Sequence, residues 1–186
     1  MFSAMIDPTA GPANRVRATV LAVRKPDLAG SKVGLLANVK RNAEQFLDEV
    51  GALLGQEHGA EVVLRRKKLS ITDSVPPGML ADLVAACDVV VVGVGDCGSC
   101  SASAVADGLA LENAGIPAVV VCSDAFGVTA DAMAALQGSP GYRYVQIAHP
   151  VAPLGPEELR ERALAAIGEI VATLTTVDKQ AGRDDG

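Results

Sequence analysis

A chain of 186 residues, 49% of them hydrophobic, is long enough to bury the core of one domain, and with 3% aromatic residues and no Trp that core must be built from Val, Leu, Ile and Ala. Sixteen basic against 22 acidic residues give a formal charge of −6 with no basic stripe, which argues against nucleic acid, since little is present to neutralise phosphates or stack on bases. Met1 to Asn14 carries Asp7, Pro8 and Pro12 where a secretion signal needs a basic start and an apolar stretch, and runs such as Val89 to Val94 fall far short of the ~20 residues that cross a bilayer, so a cytoplasmic protein with no membrane partner and four reduced Cys is expected.

Residues 1–16, rich in Pro, Ala and Gly, read as a flexible N-terminal segment, and 178–186 as a disordered polar tail; a single α/β thiol-active domain is expected over 17–177. Arg17 to Arg24 is β-prone and predicts an extra edge strand or hairpin. The chain then alternates strand-length apolar runs with helical patterns. A strand at Val33 to Ala37 precedes a helix at Ala43 to Glu57; Glu61 to Arg66 precedes Pro77 to Ala86; Asp88 to Val94 precedes Ser101 to Ala114; Ala118 to Cys122 precedes Asp124 to Gln137; Arg143 to Ala148 precedes Pro156 to Thr175. Continuous Val and Ile in these strands fits burial on both faces, so the expected fold is a three-layer α/β domain with a mostly parallel five-stranded sheet, flavodoxin-like or Rossmann-like, in the order 2-1-3-4-5. The basic run Arg65 to Lys68 closes a strand and reads as a solvated edge. His58 at a helix end reads as a surface residue, Cys87 as buried filler.

In that strand order, ligands bind beyond the carboxyl ends of the first and third strands. The loops leaving those strands are the two most unusual in the chain: one carries Asn38, Lys40, Arg41 and Asn42, the other Gly95-Asp96-Cys97-Gly98-Ser99-Cys100. Two thiols just before a helix start meet unpaired N–H groups and about half a positive charge, which lowers a thiol pKa and leaves thiolate near neutral pH. Gly95 and Gly98 permit a tight turn, and Ser99, Ser101 and Ser103 supply hydroxyl donors. A carboxylate at Asp96 opposes ionisation of Cys97 unless it is paired, for which Lys40 is the candidate, or acts in proton transfer.

Cys97 is therefore the expected nucleophile, with Cys100 and Asp96 beside it in the catalytic set; Lys40 grips a substrate carboxylate or pairs with Asp96, and Asn38 and Asn42 orient polar groups of the substrate. Gly98, Ser99, Ser101 and Cys122 join that substrate-binding set, as do Asp124, which also reads as a helix N-cap, and His149, a neighbouring acid or base on the same rim. Glu112, three turns into the following helix, reads as structural. A zinc site needs two further ligands with only Cys122 and His149 at neighbouring strand ends, so neither metal nor other cofactor is expected.

At this loop the sequence resembles the UGSC family, named for a selenocysteine-Gly-Ser-Cys motif that many members carry with cysteine first; here it reads Cys97-Gly98-Ser99-Cys100. The likeness includes Val33-Gly34-Leu35-Leu36-Ala37-Asn38-Val39-Lys40 with Asn42 and Phe46-Leu47, then Glu112-Asn113-Ala114-Gly115-Ile116-Pro117 and Cys122-Ser123-Asp124-Ala125-Phe126, over about residues 30 to 175. A fainter similarity to the selenoprotein of protein B of glycine and betaine reductases implies attack on a carbon next to a carboxyl group. With sulfur at position 97 the attacking atom is a weaker nucleophile than a selenolate.

The expected function is thus a cysteine-dependent enzyme acting on a small-molecule substrate. Cys97 forms a covalent thio-intermediate that Cys100 resolves or assists, with an external thiol or thioredoxin as reductant where a disulfide results. Two alternatives stay open: a general thiol-disulfide oxidoreductase, because Cys-x-x-Cys at a helix start is also the thioredoxin arrangement, and a thiol-presenting subunit of a larger reductase complex. A flavodoxin-like electron carrier is disfavoured, since Ala37 to Asn42 lacks the Ser and Thr that cradle a flavin phosphate. Both a homo-oligomer and a partner enzyme subunit are compatible with the chain.

Overall fold

The computed structural model describes residues 19–175; the expected flexible segments 1–16 and 178–186 lie outside the described residues. Five strands, β1 (Lys32–Ala37), β2 (Glu61–Lys67), β3 (Val89–Gly95), β4 (Ala118–Ser123) and β5 (Val145–Ile147), alternate with α1 (Ala43–His58), α2 (Pro77–Ala86), α3 (Gly98–Asn113), α4 (Gly127–Leu136) and α5 (Pro156–Thr175). All strand pairs are parallel and the order is β2-β1-β3-β4-β5. Every residue of β3 and β4 is buried, which explains their runs of Val: each face carries a layer of helices. Phe46, Leu47 and Leu54 of α1 and Ile170 of α5 pack against Val33, Val91 and Val119 on one face, while Leu83, Val105, Leu109 and Ala130 cover Val90, Val92 and Val120 on the other. No helix among the described residues is long and apolar enough to cross a membrane.

The departures from expectation occur at edges and boundaries. The edge strand β2 is exposed or half-buried throughout and β5 is only three residues long, so neither shows the two-sided burial of the centre. Residues 19–24 form no strand. The Ala22 N–H donates to Glu112 Oε2 (2.7 Å), the Arg24 guanidinium pairs with both Glu112 oxygens (2.8 and 2.6 Å), and Glu112 Oε1 accepts the N–H of Ala118 at the start of β4 (2.8 Å). The segment is held by one buried carboxylate where no strand edge is on offer, which gives Glu112 the structural role its distance from the cysteine loop implies.

Lys68 is the clearest correction within the basic run. Arg65, Arg66 and Lys67 pair at the surface with Asp48, Asp82 and Glu44. Lys68, one residue past the strand, turns inward and is 2% exposed, its ammonium donating to Asp107 Oδ2 (2.5 Å), Ser103 Oγ (2.6 Å) and the Asp73 carbonyl (2.7 Å). Ser103 is thereby committed to packing the loop after β2 against α3.

Candidate functional site

The loops that leave β1, β3, β4 and β5 meet at the carboxyl end of the sheet, and Asp96 stands at their centre. Its carboxylate is 3% exposed, yet both oxygens are occupied: Oδ1 accepts from His149 Nδ1 (2.9 Å) and the Val151 N–H (3.2 Å), while Oδ2 accepts the Ala152 N–H (3.2 Å) and faces Lys40 Nζ (3.6 Å). A carboxylate so paired no longer presents an isolated negative charge beside the neighbouring thiol. The sequence offered Lys40 as its partner; the structure adds His149, from a strand end 53 residues away.

His149 is fixed from several sides. The Asp124 carboxylate accepts its backbone N–H (3.1 Å), Ser123 Oγ lies 3.3 Å from Nδ1 while donating to the Gly95 carbonyl (3.2 Å), and the Phe126 ring stands edge-on to the imidazole at 5.3 Å. Asp124 is therefore no N-cap: it opens a 3-10 turn, Asp124–Phe126, that follows Ser123, and its side chain serves His149.

The expected helix after β3 begins three residues early. α3 starts at Gly98 rather than Ser101, so Cys97 is its N-cap and Cys100 lies inside its first turn. The Cys100 N–H donates to Cys97 Sγ (3.3 Å) and the Ser101 N–H to the Cys97 carbonyl (2.9 Å). The two thiols thereby become unequal. Cys97 is half-buried at the open end of the helix dipole, Gly98 is half-buried and Ser99 exposed beside it, the Ser99 hydroxyl 3.7 Å from Cys97 Sγ; Cys100 is 1% exposed. The two sulfurs are joined as a disulfide across a Cα–Cα distance of 5.4 Å, within the ordinary span of such bridges.

Several residues expected to bind substrate are instead committed to the fold. Asn38 is 5% exposed, its amide donating to the Val94 carbonyl (2.7 Å) and its oxygen accepting the Lys40 N–H (3.0 Å), which locks the ends of β1 and β3 together. Asn42, in a left-handed conformation (φ 68°), donates to the carbonyls of Val151, Ala152 and Leu154. With Asp96 holding the N–H groups of Val151 and Ala152, these side chains anchor the loop after β5 from two directions. Ser101 and Cys122 are fully buried under the cysteine loop. A Cβ on Gly95 would stand 2.6 Å from Cys122 Sγ and 2.7 Å from Ser101 Oγ, so this close approach of α3 to the sheet requires glycine.

Lys40, half-buried, and His149, its side chain 38% exposed, are accessible ionisable groups of the site, as are Cys97 and the exposed Asp124. Among the described residues no group of three or more His, Cys, Asp or Glu is disposed to hold a metal ion.

Burial pushes the Cys122 thiol up to about 12, with the Ser101 hydroxyl and the Gly95 backbone offsetting part of the effect. Cys87 is also raised, by burial first and by Asp88 second. Thiols held protonated away from solvent react slowly. In the reduced native protein near neutral pH, iodoacetamide is expected to leave Cys122 unmodified and to reach Cys87 at least about tenfold more slowly than it reaches a free exposed thiol. Unfolding in guanidinium chloride should open all four Cys to the reagent, as peptide mass mapping would show.

The UGSC family's model matches residues 4–176, nearly the whole chain. No curated protein and no solved structure matches it.

Proposed function

The chain belongs to the UGSC family, and from that membership and the geometry of the cysteine loop we propose that it is a cysteine-dependent enzyme in which Cys97 attacks a small, carboxylate-bearing electrophile. The observation that carries the reading is the asymmetry of the two thiols: one half-exposed as the N-cap of a 16-residue helix, the other buried behind it at bonding distance. The first arrangement suits a nucleophile and the second a resolving group. Lys40, at the rim with a quarter of its side chain exposed, is the candidate for holding the substrate carboxylate.

In the first step the Cys97 sulfur bonds to carbon, and the carbon–heteroatom bond breaks with its electron pair leaving on the heteroatom, which takes up the proton given by the thiol. In the second step the Cys100 thiolate attacks Cys97 Sγ; a disulfide forms, and the released carbon keeps the electron pair of the sulfur–carbon bond and gains a proton. The sum is reduction of a carbon–heteroatom bond to carbon–hydrogen with oxidation of two thiols, and an external dithiol of the thioredoxin kind returns the pair to its reduced state. Where water or a second substrate resolves the intermediate instead, the net reaction is cleavage without redox change and Cys100 assists by hydrogen bonding.

A second reading, general thiol-disulfide exchange, draws on the same Cys97–Cys100 bridge. Intact-mass analysis separates the two. Reduced wild type and Cys97→Ser are exposed to a set of 2-substituted carboxylic acids and to the small-molecule fraction of a cell extract. An adduct on wild type that is missing from the variant supports covalent capture; catalysed reduction of protein disulfides without any adduct supports the exchange reading.

A further inference from the structure

The cysteine loop adjoins a second piece of chemistry that nucleophilic attack alone does not use. The geometry points to His149 as the proton-transfer group of this site, accepting the proton of the Cys97 thiol and returning it to the leaving atom, with Asp96 as the residue that positions it. This rests on the reading of Cys97 as the nucleophile and adds the group that carries its proton.

Asp96 Oδ1 at 2.9 Å from Nδ1 is a carboxylate oxygen, which can only accept, so Nδ1 carries the hydrogen and the neutral imidazole presents its lone pair on Nε2. Among the described residues Nε2 has no hydrogen-bonding partner, although the side chain is otherwise held by Asp96, Ser123 and the edge of Phe126. The imidazole is therefore fixed at one nitrogen and open at the other, at a rim where 38% of the side chain meets solvent. A solvated surface histidine does not need a 3%-exposed carboxylate, itself stabilised by two backbone N–H groups and a lysine, to fix its tautomer. A base oriented by a buried acid is a recurring means of activating a thiol or hydroxyl.

Asp96 immediately precedes Cys97 in the chain, so the carboxylate that fixes the imidazole and the thiol belong to neighbouring residues at the start of α3. A Cβ on Gly98 would meet Thr129 of α4, so the helix following the 3-10 turn that carries Phe126 also closes on the cysteine loop. The charged and titratable groups facing His149 are Asp96 from the loop after β3, Asp124 from the turn after β4 through the histidine N–H, and Lys40 from the loop after β1 through Asp96.

The step conserves atoms and charge. The Cys97 S–H proton passes to Nε2, giving a thiolate and an imidazolium that Asp96 stabilises. Sulfur then bonds to carbon, the carbon–heteroatom bond breaks, and the Nε2 proton moves to the departing heteroatom, returning the imidazole to its starting form. No oxidant or reductant enters.

The test measures the rate of iodoacetamide alkylation at Cys97 against pH, by peptide mass mapping, on the reduced full-length wild type, His149→Gln and Asp96→Asn. If His149 takes the thiol proton, wild type carries thiolate at lower pH than the variants. Alkylation near neutral pH should then be about tenfold slower in His149→Gln, and all three rates should converge once pH is high enough to ionise any thiol. A loss that persists unchanged at high pH would mark blocked access or a distorted loop and would overturn the proposal. Superimposable profiles for wild type and His149→Gln would overturn it too while leaving Cys97 as the nucleophile. Failure of iodoacetamide to modify Cys97 in wild type at any pH would remove the nucleophile itself, a result distinct from the other two.

Discussion

Replacing Cys97 with serine is expected to lower covalent capture of an electrophile by more than about 10³-fold, to below detection by intact mass. The magnitude follows from the chemistry of the attacking atom: a thiol at a helix start carries a usable fraction of thiolate near neutral pH, whereas a serine hydroxyl in the same place does not ionise. Cys100→Ser should behave differently. Its side chain is 1% exposed and lies one helical turn behind the reacting atom, so the first adduct on Cys97 should still form and should persist where reduction is the net reaction, because no second thiol remains to release it. Intact-mass spectra of wild type and both variants after the same exposure check this. Undiminished capture by Cys97→Ser would remove the proposed function altogether.

The second large effect lies in stability. Lys68→Met is expected to destabilise the protein by about 3–5 kcal/mol near neutral pH, the usual consequence of stripping the partner from a buried charge. Asp107 is 1% exposed and its carboxyl is already raised above the ordinary aspartate range, by burial first and with Lys68 opposing. Without Lys68 only the Val75 N–H (2.6 Å) still favours the ionised form, and the carboxyl moves further up. For an acid whose folded pKa lies above its unfolded one, the native state holds the extra proton between the two values, so stability falls as pH rises through that window and the penalty is complete above it. The deficit of Lys68→Met should accordingly be small in acid and grow as pH rises through that window, read as the shift in urea midpoint at each pH. Adding Asp107→Asn, which keeps an acceptor for Val75 while removing the charge, should recover most of the loss.

Much of the fold was legible because it is written in local burial. Strands packed on both faces must be apolar along their buried length, and β1 beyond the exposed Lys32, β3, and β4 as far as Ser123 are; the helices between them repeat apolar residues at three- and four-residue spacing because each presents one face to the sheet. The order expected was the common winding of five such units, which the sheet has, and it puts the crevice at the loops after β1 and β3. Edges were harder to read. Residues 19–24 have the β-prone composition of a strand, yet the Ala22 N–H finds a carboxylate instead of a ladder. Lys68 ends a run of four basic residues of which the first three are surface ion pairs, and only its place one residue past the end of β2 turns it inward. A sign of it was present in α3, where Asp107 stands amid Val105, Leu109 and Leu111 and so calls for a buried counter-charge.

The sequence by itself determined the alternation of buried strands with amphipathic helices and the place of the cysteine loop after the third strand, because periodicity and burial act within a few residues of each position. Tertiary structure alone decided which polar groups meet: that α3 begins at Gly98 and buries one thiol while leaving the other half-open, that Asn38 and Asn42 serve the backbone, and that Asp96 holds His149. A hydrogen bond between strand ends 53 residues apart leaves no periodic trace in either segment, since its two partners become neighbours only when β3, β4 and β5 assemble side by side.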